Sequence, residues 1–245
     1  MPDVLLIQIR EPGQGMERHE RDCVARRLGT RSVQIHTRNV FAQRPEPSWL
    51  VGADAVIIGG SGSFSVQDPR SEPWVGSLRA LVEACFKRSI PGLGICFGHQ
   101  LIGLHLGADV ITDEQRRESG TVAFDLTDHG VTDPVMGQFN PRFHGQTGHT
   151  DLVVGVPKGA TLLAQTDIVD TQSFKVDGVP WWTTQFHPDL VAAEANERYR
   201  AFEAALAKEQ GRPADIDRQI FDERGDQSAP LIGRWFDHVL GPTPA

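Results

Sequence analysis

The chain is poor in cysteine, in basic residues and in long apolar runs, and each shortage closes off a class of protein. Three cysteines in 245 residues is an odd number, with neither the paired spacing of a zinc site nor the density of a disulfide framework. No metal is therefore expected, and a reducing, cytoplasmic setting fits. No stretch approaches the ~20 apolar residues of a membrane span, and the opening run Val4-Leu5-Leu6-Ile7 is strand-sized rather than the core of a secretion signal. Lys and Arg total 24 against 32 Asp and Glu, a formal net charge of −8. A nucleic-acid surface wants a basic stripe, and only local pairs such as Arg116-Arg117 occur. Neither nucleic acid nor membrane is an expected partner. Internal repeats and low-complexity tracts are absent too.

What is present is an alternation of strand-like and helix-like segments, the pattern of a doubly wound, mostly parallel open α/β sheet flanked by helices. Val4 to Ile9, Ser32 to His36 and Ala55 to Ile58 read as strands, with helices over Arg18 to Leu28 and Trp74 to Lys87. From Asp109 to Phe186 the pattern shifts to short alternating runs, including Thr121 to Leu126, Ala160 to Thr166 and Ser173 to Val176, which suggests a smaller mixed sheet. The length suits one domain over 1–245 with a full core. A helical and irregular excursion interrupts it at about 190–230, and its polar part, Gly211 to Pro230, is longer than a simple connection needs. It reads either as a lid or partner-binding feature or as a surface insertion. The run from Leu231 to Phe236 is apolar enough to dock on the sheet.

The most informative stretch is Gly94-Ile95-Cys96-Phe97-Gly98-His99-Gln100. A cysteine between glycines, after a strand-like run and before a helix-like one, matches the thiol version of the G-x-S-x-G elbow. Glycine on either side relieves crowding in a strained turn, and the helix N-terminus behind the sulfur favours negative charge there. Cys96 is thus a candidate nucleophile. Cys23 and Cys85 lie among apolar residues at helical spacing and read as small buried hydrophobes.

A thiolate needs a proton carrier. His187 follows the aromatic run Val179 to Phe186, which reads as a strand stopped by Pro188. That places it at the strand edge where ligands gather in an open parallel sheet, within reach of Cys96. Asp189 either orients the imidazole or caps the helix carrying Ala195, Tyr199, Phe202 and Leu206, and both roles are compatible. His99, beside the elbow on the same helix, is badly placed to reach back to the sulfur.

The Gly-Ile-Cys-Phe-Gly-His-Gln stretch, with Gly59-Gly60-Ser61-Gly62-Ser63 upstream and Phe186-His187-Pro188-Asp189 downstream, resembles the class I glutamine amidotransferases. These are Cys-His-Glu amidase domains on a flavodoxin-like sheet. The segment Gly148-His149-Thr150-Asp151 resembles the Ser-His-x-Asp run of the branch related to GMP synthetase. The resemblance implies Cys96 as nucleophile, His187 as proton carrier and Asp189 as the third member. It implies backbone N–H groups of Gly60 and Phe97 as the oxyanion hole, and Gln100, Gly148, His149 and Thr150 as substrate contacts. The implied activity is hydrolysis of the glutamine side-chain amide without a cofactor, with ammonia passing to a separate synthetase subunit or to solvent. Hydrolysis of another γ-glutamyl amide or peptide is the alternative within the same chemistry. A weakly catalytic binding or regulatory module is the alternative outside it.

Two positions depart from the family pattern. Asp189 is one methylene shorter than the usual glutamate, so a less well supported histidine and modest turnover are expected. Gly148 stands where the branch often has serine, which removes a hydroxyl from the substrate site. His149 reads equally as a polar loop residue.

Overall fold

The computed structural model describes residues 1–13 and 15–241. In chain order the elements are β1 (Asp3–Ile9), α1 (Met16–Leu28), β2 (Gln34–Asn39), β3 (Ala55–Ser61), α2 (Glu72–Arg88), β4 (Gly92–Ile95), α3 (Phe97–His105) and β5 (Val110–Thr112). There follow β6 (Glu118–Leu126), α4 (Asp128–Thr132), β7 (Arg142–His149), β8 (Asp151–Val153), β9 (Ala160–Gln165), β10 (Ser173–Val176), β11 (Trp181–Thr184), α5 (Ala192–Glu209) and α6 (Leu231–Leu240).

Nine strands form one sheet in the order β2-β1-β3-β4-β11-β10-β9-β6-β7. Pairing is parallel from β2 to β11 and antiparallel from β11 to β7. The change of pattern read near Asp109 is therefore a change of pairing within the sheet. The small second sheet is the two-stranded ribbon β5–β8. The α/β class is as the sequence indicates.

β1 and most of β3 are near-continuous apolar runs because helices cover both of their faces, whereas the edge strand β2 is polar and mostly exposed. Alternate residues of β1 and β3 point to opposite sides. Leu5, Ile7, Val56 and Ile58 face the helices α2 and α3, with Leu78, Leu81, Leu101 and Ile102. Val4, Leu6, Ala55 and Ile57 face α1 and α6, with Val24, Leu28, Trp235 and Phe236. The docking of the last helix rests on Ile232, Trp235 and Phe236, all fully buried. Among the described residues, no helix is long and apolar enough to cross a membrane.

Partners set the strand ends. β2 begins at Gln34 rather than Ser32 because its register with β1 starts at Asp3↔Gln34. β11 stops at Thr184 rather than Phe186 because its last partner on β4 is Ile95, after which the β4 chain turns away at Cys96. Gln185 and Phe186 thus leave the pairing with β4, although Gln185 N–H still donates to Gln172 O at 2.7 Å. They carry His187 outward, three residues past the strand end.

Candidate active site

The C-terminal ends of β1, β3, β4 and β11 lie side by side, and each delivers a residue to the same spot. Arg10 follows β1, Gly60 lies near the end of β3, Cys96 follows β4, and His187 comes after β11. Cys96 has φ 50° and ψ −98°, a region that costs a non-glycine residue about 1–3 kcal/mol. Two backbone bonds hold it there: Cys96 N–H donates to Thr184 O at 2.7 Å, and Gln100 N–H donates to Cys96 O at 3.0 Å. The flanking glycines are required by close approach. A Cβ on Gly94 would lie 2.8 Å from the Gly98 carbonyl, and one on Gly98 would overlap Ile58 O.

Gly60 lies against both His187 and Cys96. A Cβ there would lie 2.9 Å from His187 Cε1 and 3.6 Å from both Cys96 Cβ and Arg10 Nη2. The register of β3 with β4 ends at Ile58↔Gly94, so the Gly60 N–H lies past the paired part of that ladder. Phe97 is the first residue of α3, and its N–H has no acceptor within the helix. Two donors therefore stand beside the sulfur.

His187 is nearly buried, and its N–H donates to Gln146 O at 2.7 Å. Its Nδ1 lies 3.1 Å from Asp189 Oδ1 and 3.5 Å from Arg198 Nη1, which leaves Nε2 free on a ring that packs, like Cys96, against Gly60. Burial is the largest single influence on His187 and pulls its pKa down. The hydrogen bonds and charges of Asp189 and Cys96 together outweigh it and push the value up to about 9. Burial likewise pushes the Asp189 carboxyl up, but Arg198, His187 and Arg10 together hold it well below the usual carboxylate range.

Asp189 does not cap α5. Its two oxygens face His187 and Arg198, with Arg198 Nη1 donating to Oδ2 at 2.9 Å. The helix start is capped by others: Val191 N–H donates to Glu194 Oε2 at 3.0 Å and Ala192 N–H to Asp226 Oδ1 at 2.7 Å. The shorter acid reaches the imidazole with a guanidinium behind it.

Above Cys96 opens a cavity of about 390 Å³ with two unlike walls. Gln100, Gly148, His149, Thr150 and Asp151 make the polar wall. Gln100 Nε2 donates to Asp151 O and to Gln185 Oε1, each at 3.1 Å. The His149 ring is buried and engaged with Glu118 Oε2 and Asp151 O, each at 3.0 Å, so it braces the wall rather than standing as a loop residue. Gly148 has open space where a side chain would project. His99 is fully buried, bonded through Nδ1 to Thr183 Oγ1 at 2.9 Å, with a pKa lowered by burial to about 3. It takes no part at the sulfur.

The sequence reading did not pick out Arg198, Arg10 or Glu118. Arg198 carried a usable signal, because it falls at i+3 from Ala195 and i−4 from Phe202, inside the apolar stripe of α5. Arg10 Nη2 donates to buried Glu20 Oε1 at 2.8 Å, a pairing across β1 and α1 that no local pattern announces.

The "Glutamine amidotransferase class-I" family model matches residues 21–204. The chain belongs to this family. One subunit of the glutamine-hydrolysing GMP synthase of Sulfurisphaera tokodaii is 30% identical over 156 residues, 63% of this chain and 78% of that one. The glutamine-hydrolysing GMP synthase of Xanthomonas oryzae pv. oryzae is 29% identical over 173 residues, 68% of this chain and 30% of that one. A solved glutamine amidotransferase from Thermotoga maritima superposes with a TM-score of 0.70 at 19% identity, covering 98% and 96% of the two chains. This class I amidotransferase thus lies in the GMP synthetase-like branch, and at the level of the family it is a glutamine-hydrolysing enzyme.

Proposed function

We propose that Cys96, His187 and Asp189 hydrolyse the side-chain amide of glutamine through a γ-glutamyl thioester. The Cys96 sulfur attacks the amide carbon, and the N–H groups of Gly60 and Phe97 receive the oxyanion. As the tetrahedral species collapses, the C–N bond breaks and His187 Nε2 gives its proton to the departing ammonia. Water then adds to the thioester, the ring accepts its proton, and glutamate leaves with the thiolate restored. Asp189 holds Nδ1–H and so fixes which nitrogen faces the sulfur, with Arg198 steadying the acid. The polar wall takes the amino-acid end. Gln100 has committed its amide donors to that wall, which leaves its carbonyl oxygen as an acceptor matched to an α-ammonium group.

One observation carries this reading. A cysteine held at positive φ shares the Gly60 backbone and the cavity lining with an imidazole that is itself backed by a buried carboxylate. The ammonia acceptor in this proposal is a separate synthetase chain. Relatives that are themselves named as single subunits of a glutamine-hydrolysing GMP synthase support that reading. The test is glutamate release from L-glutamine by the chain alone and with such a synthetase, for wild type and Cys96→Ser. Release that Cys96→Ser abolishes supports the proposal. Release that survives the substitution contradicts it.

A further inference from the structure

We infer that the site also accepts γ-glutamyl amides whose leaving amine carries an uncharged apolar body, seated along α5. The inference rests on the roles given above to Cys96 and His187, and it concerns what lies on the leaving-group side of the scissile bond.

Since Asp189 occupies Nδ1, the proton for the departing nitrogen comes from Nε2, and the amine must leave on the His187 side of the cavity. The polar wall lies on the Gln100 side and suits the charged amino-acid end. Along α5 and beside it the lining is Leu190, Tyr199, Phe202, Leu206, Phe221 and Met16. Ammonia has no use for such a surface. Tyr199, Phe202 and Leu206 are the apolar stripe of α5, and all three are only partly buried, so the stripe faces the cavity rather than the core. At about 390 Å³ the space falls within the range that holds drug-sized ligands, roughly 300–1,000 Å³, and glutamine has only ten heavy atoms. The two arginines on this side are already neutralised, Arg10 by Glu20 and Arg198 by Asp189. Along α5 the surface left to the amine is therefore apolar, and Glu11, Arg117 and Ser119, which also line the cavity, are exposed to solvent.

The chemistry is that of glutamine hydrolysis with an amine in place of ammonia. The Sγ–C bond forms, the C–N bond breaks, the nitrogen takes the His187 proton, and water later releases glutamate.

The test compares kcat/KM of the full chain for L-glutamine and three γ-glutamyl amides, the ethylamide, the phenethylamide and the 4-aminobutylamide. The phenethylamide is expected to exceed the ethylamide by at least about tenfold, in the range a buried apolar group supplies. Phe202→Ser and Leu206→Ser, both at partly exposed positions that tolerate a polar side chain, should each lower the phenethylamide-to-ethylamide ratio at least about fivefold. Equal rates for the two amides, a faster 4-aminobutylamide, or a ratio that neither variant moves would overturn the inference while Cys96-dependent glutamine turnover kept the parent reading standing. No release from any of the three amides, with Cys96 still labelled by a glutamine-analogue electrophile, also overturns it. Loss of that labelling as well would overturn the parent reading.

Discussion

In α1, Cys23 Sγ lies 3.7 Å from His19 Nδ1 and 3.9 Å from Nε2; past β4, Cys96 and the His187 ring pack against the same residue, Gly60. The two pairs share chemistry and neighbourhood, yet their surroundings are opposite. Cys23 has no exposed surface, and burial, reinforced by the charge of Asp189, pushes its thiol up to about 12. The His19 pKa is lowered, chiefly by burial. Cys96 instead stands on a strained turn at the floor of a cavity, and His187 is pushed up to about 9. Asp189 thus acts in both directions: it opposes a thiolate at Cys23 and supports an imidazolium at His187. Nearness of sulfur to imidazole does not make a reactive pair. A buried carboxylate bonded to the ring, where His19 has only the exposed Glu197 at 3.6 Å, and open space above the sulfur make the difference.

The largest effect expected from this contrast is that of Cys96→Ser, which should lower glutamate release by at least about 10³-fold. Asp189→Asn comes next, with a loss of about 10²–10⁴-fold as the ring loses its orienting partner. The same variant has a pH signature. Because the folded value of His187 is raised from 6.5 to about 9, the stability from its pairing is full below about 6.5 and is lost as pH rises through about 9. The basic limb of the kcat profile should fall near 9 in the wild type and move down toward 6.5 in Asp189→Asn.

Arg198→Met removes the guanidinium that faces Asp189. It should lower kcat about tenfold, as judged by steady-state assay, and destabilise the fold by about 3 kcal/mol in denaturant melts, since it leaves a buried carboxylate short of a partner. The smallest effect is reserved for the other pair. Cys23→Ala should leave kcat within about twofold and cost about 1 kcal/mol of stability, the order for a small buried group. A Cys23→Ala loss that matched Cys96→Ser would break the contrast.

Much of this was legible before any coordinates, for reasons that differ along the chain. The elbow could be read because Gly94 and Gly98 each answer a close backbone approach, which restricts the residue type locally. Strands β1 and β3 could be read because burial on both faces leaves continuous apolar runs. The position of His187 beyond the strand could not, since β11 ends where β4 turns away, a fact about its partner. The same holds for the antiparallel half, whose pairings such as β6 with β7 are fixed by tertiary contact. The stripe on α5 correctly announced a helix but not what it faces, because a core and a ligand cavity ask for the same spacing. Asp189 was ambiguous for a similar reason: an acid before a helix suits a cap, and only the placement of Glu194, Asp226 and Arg198 settles its contacts.

The central claim is that one cysteine of the three is activated, and by His187. It is tested most directly by treating wild type and His187→Ala at pH 8 with one equivalent of 6-diazo-5-oxo-L-norleucine and mapping the adduct by peptide mass spectrometry. The account predicts an adduct on Cys96 alone in the wild type, formed at least about tenfold more slowly in His187→Ala. An adduct on Cys23 or Cys85, or labelling of Cys96 that the loss of His187 leaves unchanged, would contradict it.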